Sequence, residues 1–153
     1  MDKQETSIPA ESIRMLCHDA GLKVTHQRME VLREVYAAKD HPSVEDLHKR
    51  LRNRLPMISL DTVYRTLETF EECGLVRKVP VSKGPARYEA AEVAHHHCIC
   101  ARCRAIIDVP WPDADNLPLP PETQIWGSVK TRHVQLQGVC HGCAEKGPEH
   151  AEK

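Results

Sequence analysis

The sequence predicts an α+β protein in two parts: a run of short helices closed by a hairpin, then a small, mostly β segment. Three observations predict it. Apolar residues recur at helical spacing between Ser, Thr, Gly and Pro punctuation as far as Gly74. Short extended stretches replace them afterwards, and two Cys-x-x-Cys pairs lie beyond residue 99. A chain of 153 residues suits one domain or two small ones. Aromatic residues make up only 4%, so the core is expected to be aliphatic, and 11 prolines argue against one uniform helical bundle.

The elements follow in order. Pro9 suits a first helical position, and Ile13, Leu16, Cys17 and Ala20 keep one helical face until Gly21. Thr25 can cap a second helix carrying Val31, Leu32 and Val35. His41-Pro42-Ser43 breaks the chain, and Ser43 caps a third helix with Val44, Leu47, Leu51 and Leu55. After Pro56, Ser59 caps a fourth helix with Leu60, Val63, Leu67 and Phe70, and Gly74 stops it. Extended stretches at Leu75–Val79 and Ala86–Ala90 flank the turn signal Ser82-Lys83-Gly84-Pro85. Beyond residue 90, His95–Cys100, Ala105–Val109 and Ser128–Val139 read as strands. The prolines of 110–112 and 117–121 resist regular structure between them. The tail from Lys146 is polar and expected to fray.

Helices in series followed by a hairpin describe a winged helix-turn-helix, with the fourth helix suited to the major groove. Its outer face offers Ser59, Thr62, Tyr64, Arg65 and Thr66 to phosphates or base edges. A plain helical scaffold fits the same pattern. Charge adds little. The formal net charge is −1, with 15 basic against 13 acidic residues over 1–88 and 6 against 9 over 89–153. That balance excludes a basic arm or tail as the route to nucleic acid. The one dense basic run, Lys49-Arg50-Leu51-Arg52-Asn53-Arg54, reads first as a solvated helix face. No uncharged apolar stretch of about 18 residues is present to span a membrane. The opening MDKQETSIPAE is too polar for a secretory signal, so the cytosol is the expected compartment.

Seven cysteines, an odd number, without a secretory signal favour metal or redox chemistry over structural disulfides. Cys100 with Cys103 and Cys140 with Cys143 can supply four thiolates to a closed tetrahedral zinc site. The long gap between the pairs costs only logarithmically in chain entropy. A redox Cys-x-x-Cys would need a thioredoxin-like βαβ context, which the pattern lacks. In His95-His96-His97, strand alternation puts His95 and His97 on one side and His96 and Cys98 on the other. With Glu89 and Asp108, these histidines form a mixed N/O set suited to Fe(II), Mn(II) or Zn(II). A zinc hydrolase or deaminase is disfavoured, because neither cysteine pair follows a proline as in the deaminase signature. A zinc-stabilised interaction module without metal sensing stays as the alternative.

Five stretches resemble the ferric uptake regulator (Fur) family of metal-dependent bacterial repressors. They are residues 21–28 (GLKVTHQR), 41–47 (HPSVEDL), 61–67 (DTVYRTL), 95–103 (HHHCICARC) and 138–143 (GVCHGC). The resemblance implies a winged-helix DNA-binding domain over 1–90 and a small α/β metal-binding dimerisation domain over 91–153. It further implies a homodimer that binds an inverted-repeat operator on double-stranded DNA when metal is loaded, without a small-molecule substrate. Carried over by position, Cys100, Cys103, Cys140 and Cys143 hold structural zinc, and His41, Glu89, His95, His97 and Asp108 hold the regulatory Fe(II) or Mn(II). Tyr64 and Arg65 become base or phosphate contacts, and Lys23 a contact to the adjacent minor groove.

The branch is divided. Glu89 and Arg65 match iron-sensing members, Asp108 matches peroxide-sensing ones, and zinc-uptake regulators often carry a cysteine where Glu89 stands. In the peroxide branch, the resemblance implies that Fe(II) reacts with peroxide and a ligand such as His41 or His95 is oxidised, releasing DNA. Three departures stand out. Ala94 and Arg132 occupy places where many members carry histidines of a third metal site, with His133 one position out of register, so that site is expected to be absent or altered. Asn116–Pro121 falls where the family has a helix, which is expected to be broken or very short. Cys98 is expected to be a small buried hydrophobe, with an oxidant-sensitive thiol as its sharper reading.

Overall fold

The structure is a computed structural model describing residues 8–147; the polar opening residues 1–7 and the tail beyond 147 lie outside the described residues. It divides into two compact units, one ending at Glu92 and the other beginning at Val93. The first holds α1 (Ala10–Asp19), α2 (His26–Ala37), α3 (Val44–Leu51), α4 (Leu60–Glu72), β1 (Val76–Val79) and β2 (Arg87–Ala90). Pro9 is the N-cap of α1, not its first residue, because its ψ of 141° is extended. Helices α2, α3 and α4 each start where a hydroxyl takes over an orphan amide. Thr25 accepts from Arg28 N–H, Ser43 from Asp46 N–H and Ser59 from Thr62 N–H. Gly21 and Gly74, at φ 71° and 73°, take the left-handed conformation that ends α1 and α4.

The helices bury one aliphatic face each. Ile13, Cys17, Val31, Leu32, Leu47, Leu51, Val63, Leu67 and Phe70 are fully enclosed in one cluster, which Val76 and Tyr88 of the hairpin close. Burial pushes the Cys17 thiol and the Tyr88 hydroxyl above their ordinary pKa values, keeping both neutral. The β1–β2 ladder is antiparallel and sets Arg77 opposite Glu89. Thr66 corrects the sequence reading: it is buried, with its hydroxyl donating to the Thr62 carbonyl at 2.7 Å, because it follows Val63 by three residues on the core side of α4.

The basic run is partly committed to the fold. Arg54 Nε donates to Glu30 at 2.7 Å and Arg54 Nη2 to Glu34 at 2.6 Å, while Arg50 pairs with Asp40. Glu30 is buried and also faces Arg33 at 2.7 Å, so Arg54 helps neutralise a carboxylate that water does not reach. Lys49 and Arg52 enter none of these pairs.

The second unit holds β3 (His96–Cys100), β4 (Ile106–Val109), α5 (Pro112–Asp115), α6 (Glu122–Trp126), β5 (Gln135–Gly138) and α7 (His141–Glu145). β3 is central, antiparallel to β4 and parallel to β5. The prolines of 117–121 separate the two single-turn helices α5 and α6, as the composition predicts. The strand expected over Ser128–Val139 shrinks to Gln135–Gly138, because Gly127 at φ 148° turns the chain and residues up to Val134 run as loop. Cys98 is half-buried, not buried. It lies between Ile107 and Leu136 in the ladder, and those neighbours are 58% and 44% exposed, so the second unit leaves this apolar row uncovered. Among the described residues no helix is long and apolar enough to cross a membrane.

The α3 start closes a full capping box, with Asp46 accepting from Ser43 N–H at 3.0 Å, and this bond holds the Asp46 carboxyl below the usual carboxylate range. Ser43→Ala is expected to cost about 1 kcal/mol in urea unfolding. A depressed folded pKa adds stability above the unfolded value that is lost as pH falls through the folded one, so the gap between wild type and Asp46→Asn should close on acidification below about pH 4. A pH-independent gap would exclude the charged cap.

Candidate metal centres

Two donor sets emerge from the strands of the second unit, and a third from the first. β3 delivers Cys100 at its end, and Cys103 follows in the turn, where Arg104 takes a positive φ of 62° and its N–H returns to the Cys100 carbonyl at 2.9 Å. The parallel β3–β5 register sets Cys100 opposite Gly138, and Ala101 N–H bonds the Gly138 carbonyl at 2.7 Å. That pairing brings Cys140 and Cys143, at the start of α7, beside the first pair. Four sulfurs result, all within 4.8 Å of one another.

The Cys103 and Cys140 sulfurs are 3.7 Å apart, too far for a disulfide and close to the edge of a tetrahedron with Zn–S bonds of about 2.3 Å, which is about 3.8 Å. Amides from Cys140 and Cys103 pull the Cys100 thiol down to about 6, with Cys140 N–H donating to its sulfur at 3.3 Å. The neighbouring sulfurs of Cys140 and Cys103 push Cys143 up to about 12. Packed thiols that cannot all ionise together suit a dication that takes them all as thiolates. Arg102 braces the loop by donating to the carbonyls of Cys143 and Gly147, each at 2.8 Å.

The second set lies farther up β3. The register sets His97 opposite Asp108, and His95 and His97 turn Nε2 towards each other at 3.1 Å. Asp108 Oδ1 is 3.4 Å from His95 Nε2 and 3.5 Å from His97 Nε2. His95 Nδ1 lies 2.9 Å from the Val93 carbonyl, which can only accept; Nδ1 therefore carries the proton and leaves Nε2 bare for a ligand. Two imidazoles and a carboxylate converging this way fit a borderline divalent cation.

The third set, in the first unit, is built on strained backbone. His41 takes φ 49°, uncommon for a residue with a side chain, and is held there by its neighbours. Tyr88 N–H donates to the Pro42 carbonyl at 3.0 Å and Arg87 Nη1 to the His41 carbonyl at 3.3 Å. These bonds tie the loop to β2 and set His41 Nε2 3.2 Å from Glu89 Oε2, both residues buried. Arg77 approaches the other oxygen of Glu89 at 3.4 Å. Of the five residues expected to hold a regulatory ion, His41 and Glu89 are thus neighbours in one unit, and His95, His97 and Asp108 in the other.

The groups expected to meet DNA lie on the outside of the first unit. Lys23 and Ser59 are exposed, Thr62 is half-buried, and Tyr64 is 45% exposed. Ser59 and Thr62 share a hydroxyl contact of 2.8 Å in the α4 cap. Arg65 pairs with Asp61 at 2.9 Å, an exposed i,i+4 ion pair weak enough to exchange for a phosphate or a guanine.

Arg132, expected to stand in place of a third-site histidine, donates from Nη1 to the carbonyls of Ala114 and Asp115 at 3.0 and 2.9 Å and also to that of Leu117. A fixed guanidinium therefore occupies the end of α5. Buried His96 faces Asp115 at 3.2 Å and accepts from Val134 N–H at 3.0 Å. The sequence reading passed over one residue: His133 touches His97 across its ring, at 3.1 Å between Nε2 and Nδ1. Its only signal was a histidine out of register.

The sequence profile of the ferric uptake regulator family matches residues 19–147. The peroxide-responsive repressor PerR of Staphylococcus epidermidis is 28% identical over 137 residues, covering 90% of the chain and 91% of that protein. The peroxide operon regulator of Bacillus subtilis is 29% identical, covering 84% of the chain and 88% of that protein. Among solved structures, the Helicobacter pylori ferric uptake regulator Fur, described with three functional metal-binding sites, matches with a TM-score of 0.72 at 27% identity. That match covers 94% of the chain and 97% of the Fur chain.

Replacing Cys143 by Ser should lower zinc content below one ion per chain and unfold the second unit, because the binding energy of a structural zinc is folding energy. Zinc analysis with circular dichroism checks this; a folded variant with full zinc would remove the four cysteines as its ligands. Thiolate ligands also compete with protons, so zinc should be released as pH falls and retained as it rises.

Proposed function

The chain belongs to the ferric uptake regulator family, and from that premise we propose the following assignment of its parts. It is a metal-dependent DNA-binding transcriptional repressor controlling iron or peroxide-stress genes, and not an enzyme. It carries a structural Zn(II) and a regulatory Fe(II) or Mn(II). Residues 1–90 form the DNA-binding domain and 91–153 the metal-binding dimerisation domain. It works in the cytoplasm as a homodimer on an inverted-repeat operator.

The observation that carries this reading is the pair of half-sets described above. His41 with Glu89 stands in the winged-helix unit, and His95 and His97 with Asp108 in the other, all oxygen and imidazole donors. We assign both half-sets to one regulatory ion, and Cys100, Cys103, Cys140 and Cys143 to the structural zinc. The bound ion supplies a positive centre that satisfies donors from both units together. His41 and Glu89 then hold the winged helix at one setting, and the dimer is selected in which two copies of α4 meet successive half-sites. Tyr64, Arg65, Thr62 and Ser59 contact the major groove or its phosphates, and Lys23 the neighbouring minor groove. The apolar row of exposed Ile107 and Leu136 with half-buried Cys98 between them supports pairing of the second unit with another copy.

Glu89 favours an iron-sensing role; Asp108 and the peroxide regulators among the relatives favour a peroxide-sensing one. Peroxide treatment of the anaerobic Fe(II) protein separates them. Oxygen added to His41 or His95 by mass spectrometry, with release of DNA, makes it a peroxide sensor; unmodified histidines with DNA retained make it an iron sensor.

The function itself is tested by fluorescence anisotropy of a labelled family-type operator at fixed salt, since phosphate contacts make affinity salt-dependent. Wild type should bind only with Mn(II). His97→Ala should keep its zinc and fold but lose the response to Mn(II). Wild-type binding indifferent to metal would return the chain to a zinc-stabilised interaction module.

A further inference from the structure

A histidine ligates through Nε2 only when its proton sits on Nδ1, so whatever faces Nδ1 controls the ligand. For His95 that partner is the Val93 carbonyl. For His97, which is 1% exposed, it is a second imidazole. His133 Nε2 lies 3.1 Å from His97 Nδ1, with ring centroids 5.1 Å apart, on the side away from His95 and Asp108.

His133 is itself held from both flanks. On one side, Arg132 bonds the carbonyls at the end of α5. On the other, Val134 N–H donates to His96 Nδ1 at 3.0 Å, and the Val134 carbonyl accepts from His97 N–H at 3.3 Å. The loop before β5 is thus fastened to the same two residues of β3 that carry the histidines, and His133 is delivered to His97 by that fastening. Two independent arrangements, a backbone carbonyl and a histidine, turn the two imidazoles the same way.

We propose that His133 is a positioning residue for the regulatory ion: its Nε2 accepts the His97 Nδ1 proton, fixing His97 in the tautomer and orientation that leave Nε2 bare towards His95 and Asp108. This rests on the assignment of His97 to the regulatory ion. His133 touches that ligand on its far side and is not itself a ligand through Nε2. His97 is then less free to rotate, with Nε2 kept towards His95 and Asp108, and this tightens ion binding.

The test is a Co(II) absorption titration of zinc-loaded wild type, His133→Ala, His133→Gln and His97→Ala. Zinc content and thermal midpoint are measured on each. Wild type binds Co(II) with a d–d spectrum, and His97→Ala loses it. His133→Ala should bind about 10- to 100-fold more weakly, with zinc content and midpoint unchanged. His133→Gln should recover most of the affinity, because its amide oxygen stands near the position of Nε2 and accepts the same proton. Wild-type affinity in His133→Ala overturns the proposal. So does a Gln variant as weak as the Ala one, or a loss of affinity that comes with loss of zinc. Co(II) binding by His97→Ala equal to wild type would instead bring down the assignment of His97 itself, and the proposal with it.

Discussion

Everything in the second unit depends on β3 being paired on both edges, antiparallel to β4 and parallel to β5. A strand of five residues, preceded by His95, places candidate ligands in two clusters, and the alternation of its side chains keeps them apart. The antiparallel edge sets His97 opposite Asp108. The parallel edge brings the chain back so that Cys140 and Cys143 meet Cys100 and Cys103. A parallel neighbour requires a long crossover, which is why the cysteine pairs stand far apart in sequence and why α5, α6 and the proline-rich loop lie between them.

That arrangement joins the four-cysteine cluster and the histidine pair through one strand and the residue before it. Zinc held by the four cysteines would clamp the end of β3, where Cys100 stands, to the start of α7 after β5. The loop ahead of β5 returns the constraint from the other side, through the bonds that His96 and His97 make to Val134. In the first unit the same economy appears at His41. A left-handed backbone conformation is tolerated because Arg87, Tyr88 and the Ser43–Asp46 capping box hold the loop on all sides. Strain of this kind concentrates where a side chain must be aimed.

Much of this was legible in the residues, for physical reasons. Thr25, Ser43 and Ser59 announce helix starts because their hydroxyls compete for free amides; Gly21 and Gly74 announce ends because glycine takes positive φ without strain. The two Cys-x-x-Cys pairs announce a closed thiolate site whatever joins them. The failures are equally specific. Thr66 reads as an outward hydroxyl when polarity is considered alone, yet its spacing from Val63 puts it on the core side of α4. The strand expected over 128–139 starts too early, because residues 128–134 run as loop and only Gln135–Gly138 pair with β3. Cys98 lies half-buried because the face it occupies is not covered by its own unit. His133 was invisible as a partner of His97, because no local pattern encodes a parallel pairing between strands 38 residues apart in the chain, as His97 and Gln135 are in the register.

The central claim is that donors in the two units answer to one ion, so that metal loading and operator binding are a single linked equilibrium. Linkage requires reciprocity: if metal strengthens DNA binding by some factor, DNA must strengthen metal binding by the same factor. The direct measurement is a Mn(II) titration followed by electron paramagnetic resonance, on zinc-loaded protein, with and without saturating operator. The account predicts tighter Mn(II) binding in the presence of DNA, by the factor that Mn(II) adds to DNA affinity. Equal Mn(II) affinity in the two titrations would contradict it.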